Sequence, residues 1–102
     1  MAIYARHAIE LLGDKSAADL ETDLRSRFAV IHCVEIVGEA AAKVSVAGRD
    51  QVSGLTWPRI VGMRNALIHG YPDIDLSRVV NVVRSELPAL IDTINAALGE
   101  DT

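Results

Sequence analysis

Apolar residues recur along most of this chain at spacings of three and four, the period of a helix with one buried stripe. Ile3, Ala8, Leu11 and Leu12 share such a stripe and Gly13 follows as a stop, so the pattern predicts a short first helix over 2–12. A helix of that length takes most of its stability from packing. The stretch from Asp14 to Asp23 is more polar, and Ser16 is placed to cap a turn containing Ala17–Leu20. From about Leu24 to Val46 the pattern predicts a long helix. Leu24, Phe28, Ile31, Glu35, Gly38 and Ala42 fall on one face, and Val30, Val34, Val37, Ala41 and Val44 on another. Apolar residues on two faces make this helix central. Gly38 and Ala40–Ala42 are small enough for a second backbone to come close, either from this chain or from a partner chain. The β-branched run FAVIHCVEIV would also suit a buried strand. The apolar pattern continues too far for that, and it ends in GEAAAK, a strong helix former.

The second half reads the same way. Ala47–Leu55, with two glycines, is a polar connector. A third helix starts at Thr56 or Trp57, with Pro58 in the first turn where its missing N–H is not needed. Ile60, Met63 and Leu67 form its inward stripe, and Gly70 followed by Tyr71-Pro72 ends it. Asp73 or Asp75 can cap a last helix whose apolar positions run from Leu76 to Leu98 at helical spacing, with a kink or a division expected at Pro88. The fold these elements predict is all-α: an antiparallel four-helix bundle forming a single domain over residues 1–102, with the last helix kinked at Pro88.

Composition narrows the setting. A chain of 102 residues can bury a core without staples. Half its residues are apolar but only 4% are aromatic, so the core is built from Ala, Val, Leu and Ile. Cys33 is the one cysteine, which rules out an internal disulfide and fits a reducing, cytoplasmic setting. No apolar run is long enough to span a membrane, and the N-terminal stretch lacks the layout of a signal peptide. The net charge of −4 argues against a broad basic surface for nucleic acid and leaves room for a local basic cleft.

The chemistry concentrates in RNALIHGY, residues 64–71, where a guanidinium, an amide, an imidazole and a phenol stand close together at a helix end. His69 titrates near neutral pH and can act as general base or acid. Arg64 stays charged and can fork two donors onto a phosphate. Asn65 lies four residues before His69, on the same helix face, and can orient His69 or a phosphate oxygen. Arg64 and His69 point roughly 140° apart on an ideal helix, so one chain does not build a compact site. Two chains about a two-fold axis would set a second Arg–His pair opposite the first, and an active cleft here is expected to need a dimer. No acidic cluster suited to a metal is visible. The matching reaction is therefore metal-independent RNA cleavage, in which the ribose 2′-hydroxyl attacks its own phosphate and leaves a cyclic phosphate. On the residues alone the bland reading carries more weight: a solvated arginine, and a histidine capping helix carbonyls.

A resemblance shifts that balance. RNALIHGY resembles the Arg-x-x-x-x-His-x-Tyr signature of HEPN-domain toxins of the HepT-like family, which are paired with minimal nucleotidyltransferase antitoxins. CVEIVGEAAAKVS is similar to that family's long second helix, LTWPRIVGMRNALIHGY to its third, and DIDLSRVVNVVRSELPALIDTI to its last. The resemblance implies a cytoplasmic helical homodimer that cleaves RNA as the toxin of a type VII-like pair, with no cofactor. Arg64 and His69 match the catalytic pair and Asn65 the supporting polar position. Tyr71 matches the tyrosine that the cognate nucleotidyltransferase modifies with AMP, a step that would add negative charge beside Arg64 and repel RNA. The first helix reads as shorter than the family's usual one. The alternative is a non-catalytic helical subunit that binds a nucleotidyltransferase or a nucleotide through the same residues.

Other candidates rank lower. His32 reads as a core or interface histidine, Cys33 as a packed thiol, His7 as an edge residue and Trp57 as the anchor of the third helix. Glu35, Glu39, Arg25 and Arg27 read as surface charge, with a cleft position for the two glutamates as the sharper option.

Overall fold

The computed structural model describes residues 1–69 and 74–98, without the side chains of Ile68 and His69. The chain folds as helices α1 (Ala2–Leu12), α2 (Ala17–Thr22), α3 (Leu24–Ala42), α4 (Val46–Gln51), α5 (Trp57–His69), α6 (Leu76–Asn81) and α7 (Leu87–Leu98). A π-helical turn, Val82–Glu86, joins α6 to α7, so the last four elements of the bundle read as α5 and one long composite helix. No strand occurs among the described residues. The all-α, four-helix architecture expected from the periodicity is present, with α2 and α4 as short additions.

Local signals set the boundaries. Gly13 ends α1 with φ 53°, a left-handed conformation that suits glycine. Ser16 forms a capping box with Asp19: the Ser16 hydroxyl accepts from the Asp19 N–H at 3.1 Å, and the Ser16 N–H donates back to the carboxylate at 2.9 Å. Asp23 caps α3 by accepting from the Ser26 N–H at 3.1 Å. The long helix ends at Ala42, short of the expected Val46, because Ser45 starts a new helix by accepting from the Gly48 N–H at 3.0 Å. The polar connector read over Ala47–Leu55 thus holds a helix, α4. Asp75, one of the two candidate caps, starts α6 by accepting from the Arg78 N–H. Asp73, the other candidate cap, and the expected stop at Gly70 lie outside the described residues.

The residue expected to disturb the last helix, Pro88, is the second residue after the π turn. A proline ring in a regular helix meets the carbonyl four residues earlier, here that of Arg84, and a π turn changes the winding at that point while the helix continues. Arg84 itself donates to the carbonyls of Gly13 and Lys15, tying the turn to the α1–α2 loop.

The core lies where α1, α3, α5 and α7 meet. Leu12, Leu20, Val30, Val34, Val37, Val83 and Leu87 are fully buried. α3 is central, as its two apolar faces predict: α1 packs on one side and α5 on the other. The N-terminal part of the face carrying Leu24, Phe28 and Ile31 is a departure. Leu24 and Phe28 are 50% and 55% exposed, because none of the described elements covers them.

Candidate functional site

α5 carries the candidate residues and is held at both ends of its first half. Trp57 is buried, and its indole N–H donates to the Val52 carbonyl at 3.1 Å, as an anchor should. The Arg49 guanidinium lies 5.5 Å over the indole ring and donates to the Ala41 carbonyl at 3.1 Å. One arginine therefore ties the start of α5 to the end of α3.

The close approach between those two helices falls at Gly38. A Cβ built there would collide with the Cβ of Arg64 and would stand 3.2 Å from its Cγ and 3.3 Å from its Cα. The opening left by the small residues of α3 is thus used by α5 of the same chain, and the backbone beneath Arg64 rests directly on it. Arg64 is half-buried at its base. Its Nε and Nη2 both donate to the Asn65 amide oxygen, at 3.2 Å and 2.8 Å. Asn65 accordingly orients the arginine, whereas its sequence position had pointed to His69 or a phosphate. A guanidinium has five donors, and a fork onto one oxygen leaves the rest for an anion. No carboxylate among the described residues pairs with Arg64.

His69 is the last residue of α5, and the structure describes its backbone position alone. Tyr71 lies outside the described residues. The structure therefore brings Arg64 and Asn65 together and leaves the imidazole and phenol to the sequence. Gly38 is the residue whose role the sequence left half-read: its size signalled a close approach, but nothing in the pattern named Arg64 as the neighbour.

The residues set aside find plain roles. Glu39 lies 3.6 Å from Lys43 on an exposed face. Glu35 is half-buried and makes no ion pair among the described residues. His32 is exposed in the single chain, so of the core and interface readings the core one does not hold. Arg27 lies 5.1 Å over the exposed Phe28 ring. His7 is exposed, with an edge-on contact to Tyr4. Cys33 is buried, and burial pushes its thiol above the ordinary range. Among the described residues no three His, Cys, Asp or Glu side chains gather as a metal site, and no helix is long and apolar enough to cross a membrane.

Residues 1–97 match the family model described as HepT-like ribonuclease. The chain is 31% identical to "Putative RNase MJ1380" of Methanocaldococcus jannaschii over 86 residues, 84% of this chain and 79% of that protein. It is 33% identical to a second such protein of that organism, "Putative RNase MJ0125", over 85% of this chain and 75% of the relative. It is 31% identical to "Probable ribonuclease HepT" of Thermococcus cleftensis, over 71% of this chain and 66% of the relative. No solved structure matches it.

Proposed function

Since the chain belongs to the HepT-like ribonuclease family, we propose that it is a metal-independent endoribonuclease toxin, that Arg64, Asn65 and His69 form its active site, and that it works as a homodimer. The observation that carries this reading is the state of Arg64: a cation with its base fixed against Gly38, its head oriented by Asn65 and no carboxylate partner among the described residues. A group held like that is ready for an anion without further ordering.

The chemistry follows from the residue types. His69 takes the proton of a ribose 2′-hydroxyl as that oxygen attacks the adjacent phosphorus. Arg64 stabilises the charge growing on the non-bridging oxygens. The bond from phosphorus to the 5′-oxygen breaks, that oxygen is protonated by a second acid, and a 2′,3′-cyclic phosphate remains. Positions five apart on an ideal helix point roughly 140° apart, so the second acid comes from the other subunit's copy of this segment. The uncovered Leu24 and Phe28, one turn apart on α3, supply an apolar strip for that pairing.

Regulation in this reading falls to a nucleotidyltransferase partner that transfers AMP to Tyr71. The added phosphate would occupy Arg64 and repel RNA. Mass measurement of the peptide carrying Tyr71, after co-expression with that partner, checks the step: an unmodified peptide from a neutralised toxin contradicts it.

The reading as a whole is tested by expressing wild type and His69→Ala and comparing growth and total RNA with a chelator present in the cleavage assay. Arrest and cleavage by wild type alone are expected. Equal behaviour of the two proteins favours a non-catalytic subunit instead.

A further inference from the structure

A cavity of about 350 Å³ opens between the first half of α5 and the composite last helix. Leu55, Ile60, Met63, Val82 and Leu90 give it an apolar floor. The connector before α5 closes one end: a Cβ built on Gly54 would stand 3.0 Å from Cγ2 of Thr93. The wall facing α5 includes the π turn, the one place among the described residues where a helix leaves α winding. Such turns recur at functional sites.

The polar groups around this cavity are turned on one another. Arg59 forms an ion pair with Glu86. The Ser85 hydroxyl donates to the Asn81 amide oxygen at 3.4 Å, and the Thr93 hydroxyl donates to the Ala89 carbonyl at 2.8 Å. Arg78 is exposed and keeps its charge in water. An ion entering the cavity would lose its water without meeting a fixed partner, which is costly. A neutral apolar molecule pays no such penalty and gains from covering the floor. Size sets the class further. An apolar cavity of about 150 Å³ already holds benzene. The larger volume here takes two fused rings. Met63 adds a flexible thioether, a group that makes favourable contacts with aromatic rings.

We propose that this cavity binds a small neutral molecule of one or two rings, held by its apolar faces against Ile60, Met63 and Leu90. Arg64 does not line the cavity, and the site stands whether or not the chain cleaves RNA.

The test uses the full chain with its methionine methyl groups isotopically labelled. The sequence holds two methionines: Met63 lines the cavity and Met1 does not, so one reports and the other serves as control. The chain is titrated with indole, and with indole-3-carboxylate and tryptamine as charged counterparts. Indole is expected to give a saturable ring-current shift of the Met63 methyl, with Met1 unmoved. Each charged counterpart should bind at least about tenfold more weakly, since its charge is stripped of water and meets no fixed partner. Ala89→Trp, at an exposed position of the lining, should fill the space and abolish the shift. Ser85→Trp, also exposed, does the same from the neighbouring turn and serves where the first variant fails to fold. The proposal is overturned if indole leaves the Met63 methyl unmoved at millimolar concentration. It is equally overturned if a charged counterpart binds as tightly as indole, or if the shift persists in a tryptophan variant with wild-type melting behaviour.

Discussion

Gly38 of α3 and Arg64 of α5 are packed so closely that the glycine's missing side chain is what lets the arginine's own Cβ and Cγ take their places. The candidate catalytic cation is thereby fixed by an element remote in sequence. Gly38→Ala must force α3 and α5 apart, and overpacking of this kind costs about 1–3 kcal/mol. A lowered denaturation midpoint together with lost RNA cleavage is the expected outcome. A variant with unchanged midpoint would show that the two backbones are not in contact.

Asn65 and Arg64 should separate in their effects. Arg64→Ala removes the cation itself, and removing a group that stabilises developing charge costs on the order of a hundredfold to a thousandfold in rate. Asn65→Ala removes only the two bonds that orient it, at an exposed position, for a loss of about tenfold. Single-turnover cleavage rates of the two variants give the comparison; an Asn65→Ala loss as large as that of Arg64→Ala would make the amide a direct participant.

Much of this fold is written in local signals. Gly13, Ser16, Leu24 and Trp57 mark ends or starts that the structure keeps, because a cap or a stop needs only its own few neighbours. What depends on distant packing was hidden. Val46–Gln51 forms a helix despite Gly48 because Arg49 within it reaches Ala41 and Trp57. The π turn ahead of Pro88 has no pattern of its own. Leu24 and Phe28 carry core-like spacing yet stay uncovered in one chain. At the site, the arginine and its asparagine were legible as residue types, while their mutual bond was not, since adjacent helix positions diverge on an ideal helix.

Those two exposed side chains make the proposed dimer testable. Phe28→Glu places a charge on an apolar strip that the folded chain does not need for its core, so melting behaviour should be kept. Sedimentation should then show a lone chain in place of a dimer, and RNA cleavage should be lost with it. A Phe28→Glu protein that remains dimeric would move the subunit contact elsewhere.

Asn95 is the one buried polar residue of the described core, and neither its amide nitrogen nor its oxygen finds a partner there. An unsatisfied buried amide costs about 1–3 kcal/mol, so Asn95→Leu is expected to raise the melting temperature, unless the amide serves a partner that the single chain lacks. A lower melting temperature would indicate such a partner.

Stability should fall in acid. Hydrogen bonds from Ser16 hold the Asp19 carboxyl below its ordinary value of 3.8, and those from Ser26 do the same for Asp23. A depressed folded value means the contribution is present above the unfolded value and fades as pH falls through the folded one. Unfolding midpoints measured on both sides of pH 3.8 should drop on the acid side, and Ser16→Ala should flatten that drop.

In the proposed mechanism Arg64 and His69 promote attack by the RNA's own 2′-hydroxyl. Cleavage of an RNA oligonucleotide in chelator, beside the same oligonucleotide carrying one 2′-deoxy residue at the cut, tests it most directly. A 2′,3′-cyclic phosphate product from the first and no cut at the substituted position in the second are expected. Cleavage of both at that position, or none of either until a metal is added, would contradict it.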